Sequence, residues 1–188
     1  MKKGLGAALF WGALWGMLEA IMGFLSASPS LFPESYLRFP IAWFFLWIAW
    51  SRTSRGETLL WTSFTAAAVI TLDLLMPVSP SFVLHPAVAS LMIGVVLFFA
   101  VEWLFPRLDR PAHWAGVVLL TNTLWRILFL GYLYCLPEHA RVGTAAMDGN
   151  ALVSFFVAEN AGSSALIIAV QSALALWAHR KKKPDITG

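Results

Sequence analysis

Six apolar segments run along the chain, and short stretches rich in proline, charge or small polar residues separate them. Proline marks several boundaries, such as Pro106 after the fourth segment and Pro137 after the fifth. A helix rises about 1.5 Å per residue, so about 20 residues cross the hydrocarbon core of a bilayer. We predict helices at about 5–25, 33–50, 58–78, 87–105, 114–136 and 153–178.

The second segment needs its polar flank to reach this length. Pro40–Trp50 alone is too short to span, but Pro33-Glu34-Ser35 has the character of a helix start. Proline suits the first helical turn, and an acidic side chain is favourable at the positive end of the helix dipole. Beginning the helix there gives about 18 residues, or about 27 Å, which just spans a membrane.

Composition makes a soluble protein untenable. Of 188 residues, 59% are apolar and 12% charged, and the mean hydropathy is +0.72. Soluble domains carry about twice that share of charge, and disordered, coiled-coil and collagen-like chains have other compositions. The prediction is an all-α polytopic membrane protein, a single transmembrane domain over residues 1–188 with six helices in one bundle.

Lysine and arginine predict the orientation of this bundle. Ten of them fall on one side of a six-helix path, namely Lys2, Lys3, Arg52, Arg55, Arg107, Arg110, Arg180, Lys181, Lys182 and Lys183. The opposite side holds only Arg38 and Arg141. Cytoplasmic segments carry the basic excess, so both termini are expected to be cytoplasmic, in the bacterial cytoplasmic (inner) membrane. The net charge of +3 then reflects topology and predicts no nucleic-acid partner.

Several polar side chains lie at membrane depth, where they are costly and often functional. Counted along their helices, Glu19, Asp73 and Glu159 fall in the outer half of the bilayer. Arg126 lies near the middle of the fifth helix, and Asn122 is one turn away on the same face. Asn160 follows Glu159, Trp15 lies one turn before Glu19, and His85 is predicted in the outer loop between the third and fourth helices.

These positions predict an outward-facing cavity that binds a small molecule. The candidate ligand-binding residues are Glu19, Asp73, Arg126, Glu159, Asn160, Asn122, Trp15 and His85. Three carboxylates against one guanidinium leave a deficit of positive charge, which suits a cationic ligand, a proton or a metal ion. A protonated carboxylate balances the charge equally well. In the alternative interpretation, Arg126 forms an ion pair with one acidic residue, and this pair holds the helices of the bundle together.

Small residues recur every four positions on the first helix, at Ala8, Gly12, Gly16 and Ala20. Such a ridge lets another backbone approach closely. The pattern predicts a docking surface, either for another helix of this chain or for a partner subunit.

Motifs for catalysis or cofactor binding are lacking. The chain contains no P-loop, no dinucleotide-binding glycine pattern, no C-x-x-C and no H-E-x-x-H. Histidines are scattered, so no metal cluster is predicted, and we assign no catalytic residue, cofactor or metal site. Two alternatives to the binding function stay open. One is an intramembrane enzyme for a lipid-linked substrate that uses Glu19, Asp73 or Glu159 as acid or base; the other is a non-catalytic assembly or scaffold protein.

Four stretches carry a resemblance to a known family. They are Leu14–Gly23 (LWGMLEAIMG), Phe39–Ala42 (FPIA), Asp73–Pro77 (DLLMP) and His85–Ala87 (HPA). With six helices in under 200 residues, they resemble S components, the substrate-binding subunits of energy-coupling factor transporters.

The resemblance implies a subunit that captures one small molecule, while a separate transmembrane scaffold and a pair of ATPases drive transport. In that family an Ala-x-x-x-Ala motif on the first helix contacts the scaffold. Here Ala8-x-x-x-Gly12 is the nearest match. Ligand binding is then expected to order two outer loops, Ser26–Arg38 and Pro137–Asn150, over the site.

Overall fold

A computed structural model describes residues 2–26, 34–77, 79–104, 111–137 and 149–181. Throughout these ranges the regular structure is helical, which confirms the all-α prediction for this part of the chain. We number six helices in chain order. They are α1 (Lys2–Ser26), α2 (Glu34–Thr53), α3 (Glu57–Thr71, continued by a 3-10 turn at Leu72–Leu75), α4 (Pro80–Phe99, continued by a π-helical turn at Ala100–Leu104), α5 (Pro111–Cys135) and α6, which joins Gly149–Val153, a π-helical stretch Ser154–Ala158 and Glu159–Lys181.

Four of these helices are long and apolar enough to cross a membrane. Their candidate spans are Gly4–Gly23, Glu57–Leu75, Pro80–Leu104 and His113–Cys135. Polar residues lower the hydropathy of α2, which includes Glu34, Arg38 and Arg52. The described residues therefore establish four membrane-length apolar helices. Of the basic clusters that predict topology, residues 107, 110, 182 and 183 lie outside the described residues.

Helices α1 and α3 pack closely against each other. A Cβ added at Gly12 would lie 2.5 Å from the Thr62 carbonyl oxygen, and one at Gly16 would lie 2.7 Å from the Ala66 carbonyl oxygen. The missing side chains allow the two backbones to approach, and Ala8 on the same ridge is fully buried. The interpretation of Ala8, Gly12, Gly16 and Ala20 as a docking surface for a partner is therefore corrected. Its glycines contact α3 of the same chain.

The start of α4 also differs from its prediction. The helix begins at Pro80, seven residues before the predicted Ala87, and Pro86 lies inside it. Pro80 fits the first helical position because it needs no N–H partner there, and Ser79 precedes it in an extended conformation. A second proline is tolerated within the first turns of a membrane helix. His85 is consequently a buried helical residue, and its prediction as a loop residue was wrong.

We call the end of the bundle where α1 finishes and α2 begins the distal end, and the opposite end the proximal end. At the proximal end, the Gly56 N–H donates a 2.8 Å hydrogen bond to Glu102 Oε1. This bond joins the end of α4 to the first turn of α3, where a carboxylate is favourable. Nearby, Trp50 and Trp43 each meet Trp114 edge to face. A cavity of about 10 Å³ lies here, lined by Trp43, Trp47, Trp50, Leu59, Leu97, Val101 and Trp114.

Replacing Gly12 with a larger residue tests the α1–α3 contact. We expect Gly12→Leu to destabilise the fold by about 1–3 kcal/mol or more, because the new side chain meets the α3 backbone. The matched control is Gly6→Leu on the same helix, where an added Cβ meets nothing within 4 Å. Thermal unfolding of the purified proteins in detergent measures both. Equal melting temperatures for the two variants would contradict the packing described here.

Candidate functional site

Arg126 on α5 is the centre of the largest polar cluster at membrane depth among the described residues. Its side chain is fully buried. Nη1 donates to the Phe155 carbonyl oxygen at 2.9 Å and to Glu159 Oε2 at 3.2 Å. Nε donates to Asn122 Oδ1 at 3.2 Å, one turn earlier on α5. A single guanidinium thus joins the middle of α5 to α6.

Aromatic rings enclose the Arg126 guanidinium. Its Cζ lies 4.4 Å from the centre of the Phe155 ring and 5.1 Å from that of Trp125, within the range of cation–π contacts. Phe39 of α2 lies almost parallel to Trp125, with ring centres 6.5 Å apart. The positive charge of Arg126 therefore lies directly beside flat aromatic surfaces.

The local geometry of α6 supplies one of the acceptors. Phe155 lies in the π-helical stretch Ser154–Ala158, and this stretch ends directly before Glu159. A π-helical turn widens the helix and disturbs the regular hydrogen-bond ladder, and such turns are frequent at functional sites. The Phe155 carbonyl oxygen accepts from Arg126 at this irregular turn, and the carboxylate of Glu159 follows it by one turn.

Asn122 connects the guanidinium to the next turns of α6. Its Nδ2 lies 2.8 Å from Ser163 Oγ, 2.8 Å from Ser164 Oγ and 3.0 Å from the Asn160 carbonyl oxygen. Its Oδ1 accepts from Arg126 and from Trp125 Nε1, the latter at 2.9 Å. The Asn160 side chain donates to Thr123 Oγ1 at 2.9 Å. The cluster is consequently a connected hydrogen-bond network between α5 and α6.

A second ion pair lies between α1 and α2. Arg38 Nε is 3.3 Å from Glu19 Oε2, and Trp15 Nε1 donates to Glu19 Oε1 at 3.3 Å. The Glu19 side chain is almost completely buried, whereas that of Arg38 is 22% exposed. The outer-loop placement of Arg38 is corrected, because Arg38 is a helical residue of α2. Trp15 contacts Glu19 as a hydrogen-bond donor.

The first turns of α2 lie between the two ion pairs. Arg38 contacts α1, whereas Phe39 contacts α5. Tyr36 packs against α6, because a Cβ added at Gly162 would lie 3.1 Å from its ring. Four helices thus contribute to the two pairs, and each carboxylate faces a guanidinium. The predicted deficit of positive charge is smaller than expected, because Arg38 balances Glu19 and Arg126 balances Glu159.

Two predicted site residues lie apart from these pairs. Asp73 is half-buried in the 3-10 turn after α3 and forms no ion pair with another described residue. His85 on α4 lies with its Nδ1 3.3 Å from the Tyr132 hydroxyl of α5, and its ring meets Phe129 edge to face. The structure therefore groups Arg126, Glu159, Asn122 and Asn160, pairs Glu19 with Trp15, and places Asp73 and His85 elsewhere.

The outward-facing cavity between Glu19, Asp73, Arg126 and Glu159 stays a prediction, and among the described residues the structure pairs Arg126 with Glu159 and Glu19 with Arg38 instead of joining all four. Arg126 is fully buried, and the residues named above pack directly against it. The apolar cavity at the proximal end is lined by none of these four residues. Most of the predicted lids, at residues 27–33 and 138–148, lies outside the described residues.

The prediction missed several members of these clusters. Arg38 falls within the second predicted helix, but its position in the sequence does not indicate which helix its side chain faces. Ser163 and Ser164 follow Asn160 by three and four residues, and therefore share its helix face. Phe155 had no such signal, because it contacts Arg126 through its backbone carbonyl, in a π-helical turn that the apolar pattern does not predict.

No family model matches this chain, and neither the curated proteins nor the solved structures include a significant match to it. The interpretation of the site therefore depends on its geometry.

The network predicts that Asn122 is essential for stability. Asn122→Ala removes the partner of Arg126 Nε and Trp125 Nε1 and strands both donors in the interior. Each buried unsatisfied group costs about 1–3 kcal/mol. Asn150→Ala is the control, since Asn150 is exposed at the start of α6. We expect only the Asn122 variant to show a much lower melting temperature in detergent, and similar values would refute the network.

Proposed function

We propose that the chain is a membrane-embedded subunit of a transporter that binds one small molecule at the Arg126–Glu159 cluster. All six helices would cross the bacterial cytoplasmic membrane, with both termini cytoplasmic and the distal end outside. The resemblance to S components adds the expected partners, a transmembrane scaffold and ATPases. This chain would supply recognition, and the partners would supply energy.

The observation that supports the proposal is a buried guanidinium within a membrane-length helix. Charge at this depth is costly, so such residues usually serve a pathway or a ligand site. Arg126 is surrounded by groups that can recognise a solute, namely a carboxylate, an amide and two aromatic rings. Those groups come from both α5 and α6, so a change in the separation of these helices would assemble or release the site.

We propose that the conformation described here is the closed form of this site. The π-helical stretch at Ser154–Ala158 is the segment of α6 best suited to move, because its hydrogen bonds are less regular than those of an α-helix. Opening would expose the Arg126 guanidinium, and the ligand would bind beside Phe155 and Glu159.

A scaffold function is the second candidate, and the close packing around Arg126 favours it. A guanidinium that contacts a carboxylate, a carbonyl and two rings can serve to hold α5 and α6 in register. Under this hypothesis the cluster binds nothing, and substitutions affect assembly alone.

One experiment separates the two functions. The full chain is purified from bacterial membranes, and small molecules released from it are identified by mass spectrometry. The variants are Arg126→Lys and Arg38→Lys, which make the same change in the two ion pairs. Lysine keeps the charge but loses the planar set of donors. If the chain is a binding subunit, a stoichiometric compound is released from the unmodified chain and from Arg38→Lys, and is lost from Arg126→Lys.

The scaffold hypothesis predicts a different result. No compound is enriched over a control membrane protein, and Arg126→Lys changes only the melting temperature. That outcome would overturn the proposed function. Size-exclusion chromatography of both variants verifies that each is folded, so that loss of the compound is not confused with loss of the protein.

A further inference from the structure

We infer that the Arg126–Glu159 pair recognises an uncharged amide or lactam group carried on a small, flat, apolar body. This inference rests on the proposed function and names the class of ligand for the same site. It also replaces the cationic ligand that the sequence favours.

The first step is the donor count of Arg126. A guanidinium has five N–H donors. Nε uses its donor on Asn122, and Nη1 uses its two on Phe155 and Glu159. Nη2 is buried and has no hydrogen-bond partner among the described residues. An arginine paired with a carboxylate usually forms two parallel bonds, but Glu159 contacts the guanidinium through Nη1 alone. Two strong donors therefore remain for another acceptor.

Other buried groups do not offer a comparable site. Trp43 Nε1 and Thr121 Oγ1 also lack a partner among the described residues. Each is a single neutral group, and burying it costs far less than burying part of a charged guanidinium. Arg38 Nε is also a buried guanidinium nitrogen without a hydrogen bond among the described residues, but it lies 3.3 Å from Glu19 Oε2 and its side chain is 22% exposed. Arg126 is the fully buried guanidinium at which an unpartnered donor, a carboxylate and aromatic rings occur together.

Charge then selects the acceptor. Arg126 and Glu159 already neutralise one another, so a carboxylate ligand would add an uncompensated negative charge at membrane depth, and an amidinium would add a positive one. Either is expensive in a low-dielectric environment. A carbonyl oxygen accepts from Nη2 without adding charge. An adjacent amide N–H can donate to the Glu159 carboxylate, so an amide edge complements both members of the pair.

The neighbouring rings select the rest of the ligand. Phe155, Trp125 and Phe39 provide flat apolar surfaces around the guanidinium. Stacking on such rings favours an aromatic or otherwise planar body. The ligand would enter at the Glu159 edge, because the Glu159 side chain is 14% exposed, whereas that of Arg126 is not exposed.

Three isosteric probes test the inference. Benzamide, benzoate and benzamidine share one shape and are neutral, anionic and cationic, respectively. Each is titrated against the full chain in detergent, and the shift in melting temperature gives its affinity. We expect benzamide to stabilise the protein and to bind at least about tenfold more tightly than either charged probe. Tighter binding of benzoate or benzamidine, or no stabilisation by any probe, would overturn the inference.

Changing the charge of the pair should change the selection. In Glu159→Gln the guanidinium is uncompensated, so the preference should shift from benzamide to benzoate. In Arg126→Lys the stabilisation by benzamide should be lost, and in the control Arg38→Lys it should be retained. A Glu159→Gln variant that folds and still prefers benzamide would contradict the charge argument. If Glu159→Gln does not fold, Arg126→Lys decides the test, because benzamide stabilisation that survives in it places the probe elsewhere.

The mass-spectrometry experiment distinguishes this inference from the proposed function. A charged compound released stoichiometrically from the chain would overturn the ligand class and leave the binding function intact. An uncharged amide or lactam would support both. If no compound is enriched over a control membrane protein, the binding function fails, whatever benzamide does.

Discussion

A positive charge in the middle of a membrane-length helix needs partners, and this need organises one side of the bundle. The Arg126 side chain has no contact with solvent, because it is fully buried. Its partners come from three kinds of group: the carboxylate of Glu159, the amide of Asn122 and the backbone carbonyl of Phe155. Since two of these belong to α6, the position of α6 against α5 follows from the requirement to satisfy one guanidinium.

The other side of the bundle is held by close packing. Gly12 and Gly16 let α1 approach α3 until their backbones nearly touch. In a bilayer, lipid competes for apolar surfaces, and tight van der Waals contact replaces the hydrophobic effect as the attraction between helices. Helix α2 contacts both sides of the bundle. Its Arg38 contacts the buried Glu19 of α1, and its Phe39 stacks on Trp125 of α5.

Much of the fold could be predicted because hydrophobicity and length are local properties. The six helices follow from apolar segments and their polar borders, whereas the start of α4 was misplaced because Pro80 and Pro86 look like helix breakers. The site was harder to predict. Arg126, Asn122 and Glu159 could be selected as costly polar residues, but pairing depends on how helices rotate and pack. That is why Arg38 escaped notice as the partner of Glu19, and why a single charge deficit was inferred where two balanced pairs exist.

The π-helical stretch in α6 has a geometric consequence for the residues that precede it. Each additional residue in a helical turn rotates everything before it by about 100° about the axis. The backbone of the short segment Gly149–Val153 is therefore rotated from the orientation that an unbroken helix would impose. Helix α6 thus consists of two helical segments joined by the π-helical stretch Ser154–Ala158. The rotation of the first segment about the helix axis is set at the turn where the Phe155 carbonyl contacts Arg126.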